Sequence, residues 1–249
     1  PATMIVGGQF DAEDLYGPYN TYKNIEANSD NYNIVVFGPW SHGDWARSRE
    51  RQVIGNIHFG DGLSDYFQKN IETKFFNHFL KGEANGETDL AEAHMFDTGK
   101  KEWQSFEQWP PKNTIKESWF MQSGERLTQR ANRMIATSDF TSDPKKPVPY
   151  SEDIKVVFTP RKFMTDDQRF ASRRPDVLTF ETGVLENDVT LAGDILSKLN
   201  VSTTGTAADW IVKLVDVYPA DTENTDDVQD HLKLSNYHML VRSETLRGR

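Results

Sequence analysis

The sequence predicts two kinds of structure in succession, an α/β part followed by an all-β part. Two short, continuously apolar segments that end in glycine flank a stretch of helical period within residues 1–38. A strongly amphipathic segment comes next, and from about residue 90 the pattern changes to short β-type segments divided by Gly, Pro, Asn and Asp. These observations place an α/β part over residues 1–88 and an all-β part over residues 89–249.

The α/β part opens with a predicted strand over Thr3–Gly8, because an unbroken apolar run is typical of a strand buried on both faces of a parallel sheet. A helix is expected next, since apolar residues recur along one face at Leu15, Tyr19, Tyr22 and Ile25. The carboxylates of Asp11 and Asp14 would complement the dipole of its first turn. A second buried strand over residues 33–37 completes a β-α-β unit.

The remaining elements are predicted from the same patterns. Residues 64–80 predict a helix with Ser64 as its cap and Gly82 as its end. The all-β part is predicted from six segments: Ala93–Asp97, 118–121, 177–181, 189–194, 197–202 and 210–218. Short strands separated by turn residues favour an antiparallel sandwich or a jelly roll. The basic stretch of residues 161–174 is interrupted by two aspartates, and we expect a solvated loop there.

Composition excludes several classes of protein. The 249 residues are 37% hydrophobic and 12% aromatic, which is typical of a globular chain. A formal net charge of -10 argues against a nucleic-acid partner. No apolar run approaches the ~20 residues that span a bilayer, so no membrane partner is expected. Cysteine is absent from the sequence, and no His or acid spacing indicates a metal, so we expect no metal and no cofactor. The sequence allows a homo-oligomer.

The chemistry is predicted from the residues just after each apolar strand. Asp11 comes after Gly7-Gly8-Gln-Phe, and His42 comes after Gly38-Pro-Trp-Ser. The carboxyl ends of parallel strands meet at one edge of a sheet, where an acid and then a histidine fit the last two members of a Ser, Asp, His order. An imidazole activates a serine, and a carboxylate fixes the imidazole's tautomer. The alternative is that Asp11 caps a helix and His42 is an ordinary turn residue.

Two of these segments also resemble a known group of enzymes. Gly-Gly-Gln-Phe-Asp-Ala-Glu-Asp over residues 7–14 and Phe-Gly-Pro-Trp-Ser-His-Gly over residues 37–43 resemble the acid and histidine segments of serine hydrolases. The group is that of the cocaine esterases, glutaryl cephalosporin acylases and α-amino-acid ester hydrolases, in the X-Pro dipeptidyl-peptidase superfamily. Three later segments resemble its carboxyl-terminal β domain: 103–111, 174–180 and 209–219.

This resemblance implies a fold and an activity. Residues 1–88 would be the carboxyl-terminal part of an α/β-hydrolase domain. Residues 89–249 would be a jelly-roll, galactose-binding-like domain, with closing strands still to come. Asp11 would be the triad acid and His42 the general base of a periplasmic or secreted hydrolase. That enzyme would cleave a small-molecule ester or amide, either an α-amino-acid ester or a β-lactam acyl side chain.

The resemblance assigns two further residues. Glu13 and Asp14 would bind the substrate's α-ammonium group, the alternative being that both acids complement a helix dipole. The aromatic residues beside the two loops could line a pocket or belong to the core: Tyr16, Tyr19, Trp40 and Trp45.

Departures from the family pattern leave a second function open. No Gly-x-Ser-x-Gly occurs in the sequence, so we expect the nucleophile to lie outside it and this chain to be inactive alone. The alternative function is a noncatalytic β-sandwich module that binds carbohydrate and carries a short α/β remnant.

Overall fold

The computed structural model describes residues 1–47, 50–82, 88–132, 136–152, 161–226, 228 and 232–248. Within these ranges the strands, in chain order, are β1 (Thr3–Gly8), β2 (Asn33–Gly38), β3 (Arg51–Ile54), β4 (Ile57–Asp61), β5 (Ala93–Asp97), β6 (Glu102–Phe106), β7 (Phe120–Gln122), β8 (Arg126–Thr128), β9 (Ala208–Val217) and β10 (His238–Gly248).

Helical segments of three kinds lie between these strands. The α-helices are α1 (Tyr16–Asn28), α2 (Leu63–Phe67), α3 (Thr73–Phe76) and α4 (Arg169–Ser172). Single 3₁₀ turns occur at Asp44–Ala46 and Arg161–Thr165. Two π-helical turns, Gln68–Glu72 and Asn77–Lys81, come after α2 and α3.

A four-stranded mixed sheet in the order β1-β2-β5-β6 positions the site. The β1–β2 and β2–β5 pairs are parallel and the β5–β6 pair is antiparallel. Every residue of β2 is buried, as expected for a strand covered on both faces. The bounds of the predicted strands Thr3–Gly8 and Ala93–Asp97 are confirmed, and the predicted strand at 33–37 extends to Gly38. The prediction that Thr3–Gly8 is buried on both faces is wrong for the described chain, because β1 lies at an edge of the sheet and only its Gly7 and Gly8 are buried.

Helix α1 begins later than the sequence predicts. Its first residue is Tyr16, and its first turn contains no acidic residue. The prediction that Asp11 and Asp14 complement its dipole is therefore wrong. Pro18 fits this start, because the first turn's amide groups have no intrahelical partner and a missing N–H costs nothing there. The apolar stripe is confirmed in its central residue Tyr22, which is buried against the sheet.

The predicted helix at 64–80 is confirmed as an unbroken helical stretch over α2, α3 and the two π-helical turns. Phe67 and Ile71 pack with Val36 and Trp40 on one face of the sheet. Gly82 adopts a left-handed conformation, with a φ of 65°, at the end of the stretch. Ser64 does not cap this stretch through its side chain, because α2 has no side-chain cap and the Ser64 hydroxyl bonds to Asp44 instead.

Besides β5–β6, the described later part of the chain contains two antiparallel strand pairs, β7–β8 and β9–β10. Of the six predicted segments there, strands lie at Ala93–Asp97, over the last two residues of 118–121 and over most of 210–218. The predictions at 189–194 and 197–202 are wrong, since the structure describes no strand in either. The prediction at 177–181 yields only one isolated bridge, between Glu181 and Arg126. An apolar pattern marks a strand only where a neighbouring strand supplies hydrogen bonds.

The basic stretch at 161–174 is not the solvated loop that the sequence predicts. It forms a 3₁₀ turn and α4, and its Met164 belongs to the main hydrophobic core. The Thr165 hydroxyl donates a 2.8 Å hydrogen bond to Ile54 O, and Tyr237 donates a 2.9 Å bond to Thr165 O. The two aspartates that interrupt the stretch each pair with a basic residue, Asp167 with Arg169 and Asp166 with Lys162.

The predicted boundary between residues 88 and 89 stays a prediction. Residues 83–87, immediately before it, lie outside the described residues. β5 and β6, which come after it, complete the sheet that β1 and β2 begin. Among the helices of the described ranges, none has the length and apolar character to cross a membrane.

The loops after β1 and β2 are joined through their backbones. Gln9 N donates to Gly38 O over 2.8 Å, and Phe10 N donates to Trp40 O over 3.0 Å. This approach requires a glycine at position 8, because a Cβ there would lie 2.3 Å from Trp40 O. The carbonyl belongs to the backbone, so it cannot move without breaking the contact between the loops.

We predict that Gly8→Ala lowers the free energy of unfolding by about 1–3 kcal/mol, the usual cost of overpacking a close contact. Urea unfolding followed by fluorescence measures the change. Gly17→Ala is the matched control, since an added Cβ at Gly17 in α1 meets no atom within 4 Å. That substitution should leave stability unchanged or raise it by up to about 1 kcal/mol. Equal stability of the two variants would contradict the constraint on Gly8.

Candidate active site

Asp11 lies in the loop after β1 with its side chain 1% exposed. Its Oδ1 atom accepts hydrogen bonds from the backbone N–H groups of Glu13, at 2.9 Å, and Asp14, at 3.1 Å. Its Oδ2 atom lies 3.0 Å from Nδ1 of His42. One oxygen thus shapes the loop and the other meets the imidazole. The helix-cap alternative for Asp11 is wrong, because both amides precede α1.

His42 lies in the loop after β2, on a turn whose next residue, Gly43, has a φ of 74°. This left-handed conformation favours glycine and turns the chain back immediately after the histidine. The imidazole is half-exposed, and within the described residues its Nε2 atom has no hydrogen-bond partner. Nδ1 is held at the acid, whereas Nε2 is left for another group.

The surroundings of the imidazole favour its protonated form. The hydrogen bond to Asp11 and the charge of that carboxylate raise the pKa of His42 above its ordinary value. Partial desolvation opposes this shift, and the charges of Glu13 and Asp14 add to it. A neighbouring carboxylate that stabilises imidazolium is the electrostatic arrangement that a general base uses when it accepts a proton.

Glu13 and Asp14, the two acids that come after Asp11, are exposed at the same edge of the sheet. Asp14 Oδ2 lies 3.6 Å from His42 Nδ1, so this second carboxylate approaches the imidazole directly. Both acids precede α1, and the alternative that they complement its dipole in the first turn is wrong. Their position leaves two carboxylates able to meet a cationic group beside His42.

The same loops contain the one group of described residues close enough to share a cation. The ligand atoms of Asp11, Asp14 and His42 lie within 4.8 Å of one another. Exposed carboxylates often lie this close without an ion, and we assign none to them.

The structure adds a residue that sequence reasoning missed, Asp44. Its side chain is 0% exposed, and its Oδ2 atom accepts bonds from Ser41 N at 3.1 Å and Ser41 Oγ at 2.8 Å. The side chain of Gln52 also donates to this atom, over 3.3 Å. A serine three residues before an acid, around a histidine, is the signal that could have indicated such a closed turn.

The four aromatic residues near the loops divide between core and surface. Trp40 is 0% exposed and packs against Phe67 and Trp103, so it belongs to the core. Trp45 contacts Trp40, and Tyr19 packs edge-on against Phe37. Tyr16 is 78% exposed, and it alone of the four projects fully into solvent.

Two other histidines pair with serines. His94 Nδ1 lies 3.0 Å from Ser105 Oγ, and His238 Nδ1 lies 3.3 Å from Ser172 Oγ. In the described part of the chain no carboxylate hydrogen-bonds to either ring. Burial lowers the pKa of both histidines, in contrast to His42. The combination of a buried acid and an accessible imidazole is therefore found at Asp11 and His42.

Comparison with known proteins gives relatives over nearly the whole chain. Cocaine esterase from Rhodococcus sp. (strain MB1 Bresler) is 29% identical over 197 residues, which are 74% of this chain. The crystal structure of an aminopeptidase from a marine sediment archaeon, Thaumarchaeota archaeon, superposes with a TM-score of 0.87 at 30% identity over 99% of this chain. The structure of an α-amino acid ester hydrolase matches with a TM-score of 0.83 at 28% identity over 99%.

These relatives are longer proteins. The chain spans 33% of the cocaine esterase and 40% and 41% of the two matched structures. All three are hydrolases by name, and the mixed sheets of this chain resemble part of an ester hydrolase.

A family model covers most of the sequence. Residues 85–244 match the X-Pro dipeptidyl-peptidase C-terminal non-catalytic domain. The chain belongs to this family, within the superfamily of X-Pro dipeptidyl-peptidases and cocaine-esterase-type hydrolases.

Proposed function

We propose that this chain supplies the acid and the general base of a Ser-Asp-His triad in a serine hydrolase. The observation that carries the proposal is the 3.0 Å contact between the buried Asp11 carboxylate and Nδ1 of the half-exposed His42. The acid and the base also come directly after adjacent parallel strands, β1 and β2, in the chain order of a hydrolase triad.

The arrangement suggests a division of roles within the triad. Asp11 accepts the Nδ1 proton and fixes the tautomer in which Nε2 carries a lone pair. Nε2 then removes the proton from a serine hydroxyl, which attacks the carbonyl carbon of an ester or amide. The imidazolium returns the proton to the leaving group, and water releases the acyl group in a second, analogous step. This sequence contains no Gly-x-Ser-x-Gly motif, so in this proposal the nucleophilic serine comes from outside these 249 residues.

For the substrate, we propose an α-amino-acid ester or a β-lactam acyl side chain. Glu13 and Asp14 are exposed acids at the edge where a substrate would meet His42, and Asp14 lies 3.6 Å from the imidazole. Carboxylates placed there would attract an α-ammonium group and repel an anion. The names of the matched aminopeptidase and ester hydrolase agree with a substrate that carries an amino group.

The finer architecture and the location belong to the same proposal. Residues 1–88 would form the carboxyl-terminal part of an α/β-hydrolase domain, and residues 89–249 a jelly-roll, galactose-binding-like domain. The parallel pairing of β1 with β2 supports the first assignment, and the family match over residues 85–244 supports a C-terminal domain after it. We also propose a periplasmic or secreted enzyme that acts on a small molecule without a cofactor.

We predict that the 249-residue chain alone does not hydrolyse p-nitrophenyl esters, because an acid and a base without their nucleophile cannot form an acyl-enzyme. A longer protein that contains this chain and a Gly-x-Ser-x-Gly serine should be active and be labelled by a fluorophosphonate. His42→Ala in that protein should reduce kcat/KM by at least about a thousandfold. His78→Ala is the control and should retain activity. Specific glycan binding, without labelling or turnover in the longer protein, would favour the carbohydrate-binding alternative.

A second prediction concerns the titration of His42. The Asp11 carboxylate stabilises the imidazolium, so Asp11→Asn should lower the pKa of His42. Two-dimensional NMR of the imidazole across a pH series measures it in this chain. A lower pKa keeps the base neutral at lower pH, so the acidic limb of kcat/KM in the longer enzyme should move to lower pH even as the rate falls. Asp30→Asn, between α1 and β2, should change neither, and an unchanged His42 pKa in Asp11→Asn would contradict the pairing.

The third prediction separates the substrate classes. If Glu13 meets an α-ammonium group, Glu13→Gln should lower kcat/KM for an amino-acid ester by about tenfold or more in the longer enzyme. The desamino ester, which lacks the cation, should be nearly unaffected, so the ratio of the two rates is the measurement. Asp14→Asn tests the neighbouring carboxylate in the same way. An unchanged ratio in both variants would rule out amino-group recognition and leave a general acyl esterase.

A further inference from the structure

The Asp44 side chain closes the turn that carries His42. Ser41 precedes the histidine and donates both its backbone N–H and its hydroxyl to Asp44 Oδ2, over 3.1 and 2.8 Å. Gly43 comes after the histidine in a left-handed conformation, and the 3₁₀ turn begins at Asp44 itself. His42 therefore lies within a turn whose first residue, Ser41, is bonded to the side chain of its last residue, Asp44.

This turn is also tied to two other elements. The Gln52 amide, on β3, donates to Asp44 Oδ2 over 3.3 Å and to Pro39 O over 2.9 Å, so it joins both sides of the turn. The Ser64 hydroxyl, on α2, donates to Asp44 O over 3.0 Å. Gln52 and Ser64 are each 1% exposed.

Closing a turn with a buried carboxylate requires the desolvation of that carboxylate. Removing an ionised group from water is strongly unfavourable unless hydrogen bonds replace its hydration. Asp44 is 0% exposed, and the donors on Oδ2 come from Ser41 and Gln52. A charged acceptor forms shorter and stronger bonds than a neutral one, so the charge gives this turn less freedom than a serine or asparagine would.

A rigid turn matters because the imidazole of His42 has few contacts of its own. Its imidazole is half-exposed, and its bonded contact in the described structure is the 3.0 Å approach to Asp11. Asp14 offers a competing carboxylate at 3.6 Å. Without a fixed turn, the ring could leave Asp11 for Asp14 or for solvent. The bonds from Ser41 to the Asp44 carboxylate restrain the backbone just before the histidine and limit these alternatives.

We infer that Asp44 is a positioning residue for the general base: its buried carboxylate fixes the turn around His42 and so keeps Nδ1 on Asp11. The inference rests on the proposed function, in which His42 is that base. Asp44 acts through the backbone and does not touch the reacting atoms.

Among the described residues, the ionisable groups near the imidazole come from two loops. Asp11, Glu13 and Asp14 belong to the loop after β1. Asp44 and Arg47 belong to the histidine's own turn, where the Arg47 guanidinium lies beside Gly43. A test through the titration of His42 must therefore separate a change in position from a change in local charge.

The test is the NMR titration of His42 in this chain, with Asp44→Asn compared with Asp11→Asn. Loss of the Asp44 charge alone should lower the pKa of His42 only weakly, because the carboxylates that raise that pKa are Asp11, Glu13 and Asp14, whereas Asp44 Oδ2 contacts Ser41 and Gln52. Loss of position would also remove the Nδ1 contact to Asp11. We expect the His42 pKa in Asp44→Asn to fall at least half as far as in Asp11→Asn, and the downfield Nδ1 proton resonance to disappear.

The matched control is Asp166→Asn. Asp166 is likewise buried, at 6% exposure, but it lies after the 3₁₀ turn at Arg161–Thr165 and pairs with Lys162. This variant should lose stability and leave the His42 titration unchanged. A folded Asp44→Asn protein with an unchanged His42 pKa and an intact Nδ1 proton would overturn the inference. The proposed hydrolase activity would then still stand if Asp11→Asn lowers the pKa.

A second variant keeps the inference testable if Asp44→Asn does not fold. Ser41→Ala removes the hydroxyl donor and retains the backbone donor, so it loosens the turn without leaving a buried charge unbonded. It should lower the His42 pKa less than Asp44→Asn and in the same direction. No shift in Ser41→Ala would also overturn the inference. If neither this variant nor Asp11→Asn changes the titration, the pairing of Asp11 with His42 is wrong as well.

Discussion

The close approach of the loops after β1 and β2 is the constraint on which the candidate site depends. The backbone of Gln9 and Phe10 bonds to Gly38 and Trp40, and only a glycine at position 8 leaves room for the Trp40 carbonyl. Parallel pairing of the two strands brings their ends to one edge, but it does not bring the loops beyond them together. The backbone bonds between the loops do so, and the acid and the histidine meet because their main chains already touch.

The sequence predicted this part of the molecule well for a physical reason. A strand that is buried on both faces needs an unbroken apolar run, and β2, which is buried throughout, shows such a run ending in glycine. β1 has a similar run, although only its last two residues are buried. Once both strands are placed in a parallel pair, the order of acid and histidine predicts their meeting at one edge. The contact between Asp11 and His42 is the structural outcome of that order, whereas their catalytic roles remain a proposal.

Other features could not be predicted because their signals are not local. The start of α1 depends on Asp11 bonding to the amides of Glu13 and Asp14, which draws both acids out of the helix. The segments at 189–194 and 197–202 have a strand-like pattern, but pairing depends on a neighbour that the pattern does not contain. Asp44 resembles an ordinary turn residue in the sequence. Its burial results from contacts with β3 and α2, which the local sequence does not reveal.

The mixed sheet has a consequence for how this family could have been assembled from parts. The segment that matches the family model begins at residue 85, so β5 and β6 lie inside it, while β1 and β2 lie outside. β5 nevertheless pairs with β2, and its Ala93, Met95 and Phe96 are buried. A gene fusion that joined the segment to a different partner would expose one edge of β5 and the apolar side chains beside it. The segment that matches the family model therefore shares a sheet with the strands before it. A recombination event that kept this sheet intact would have to transfer β2 together with the segment.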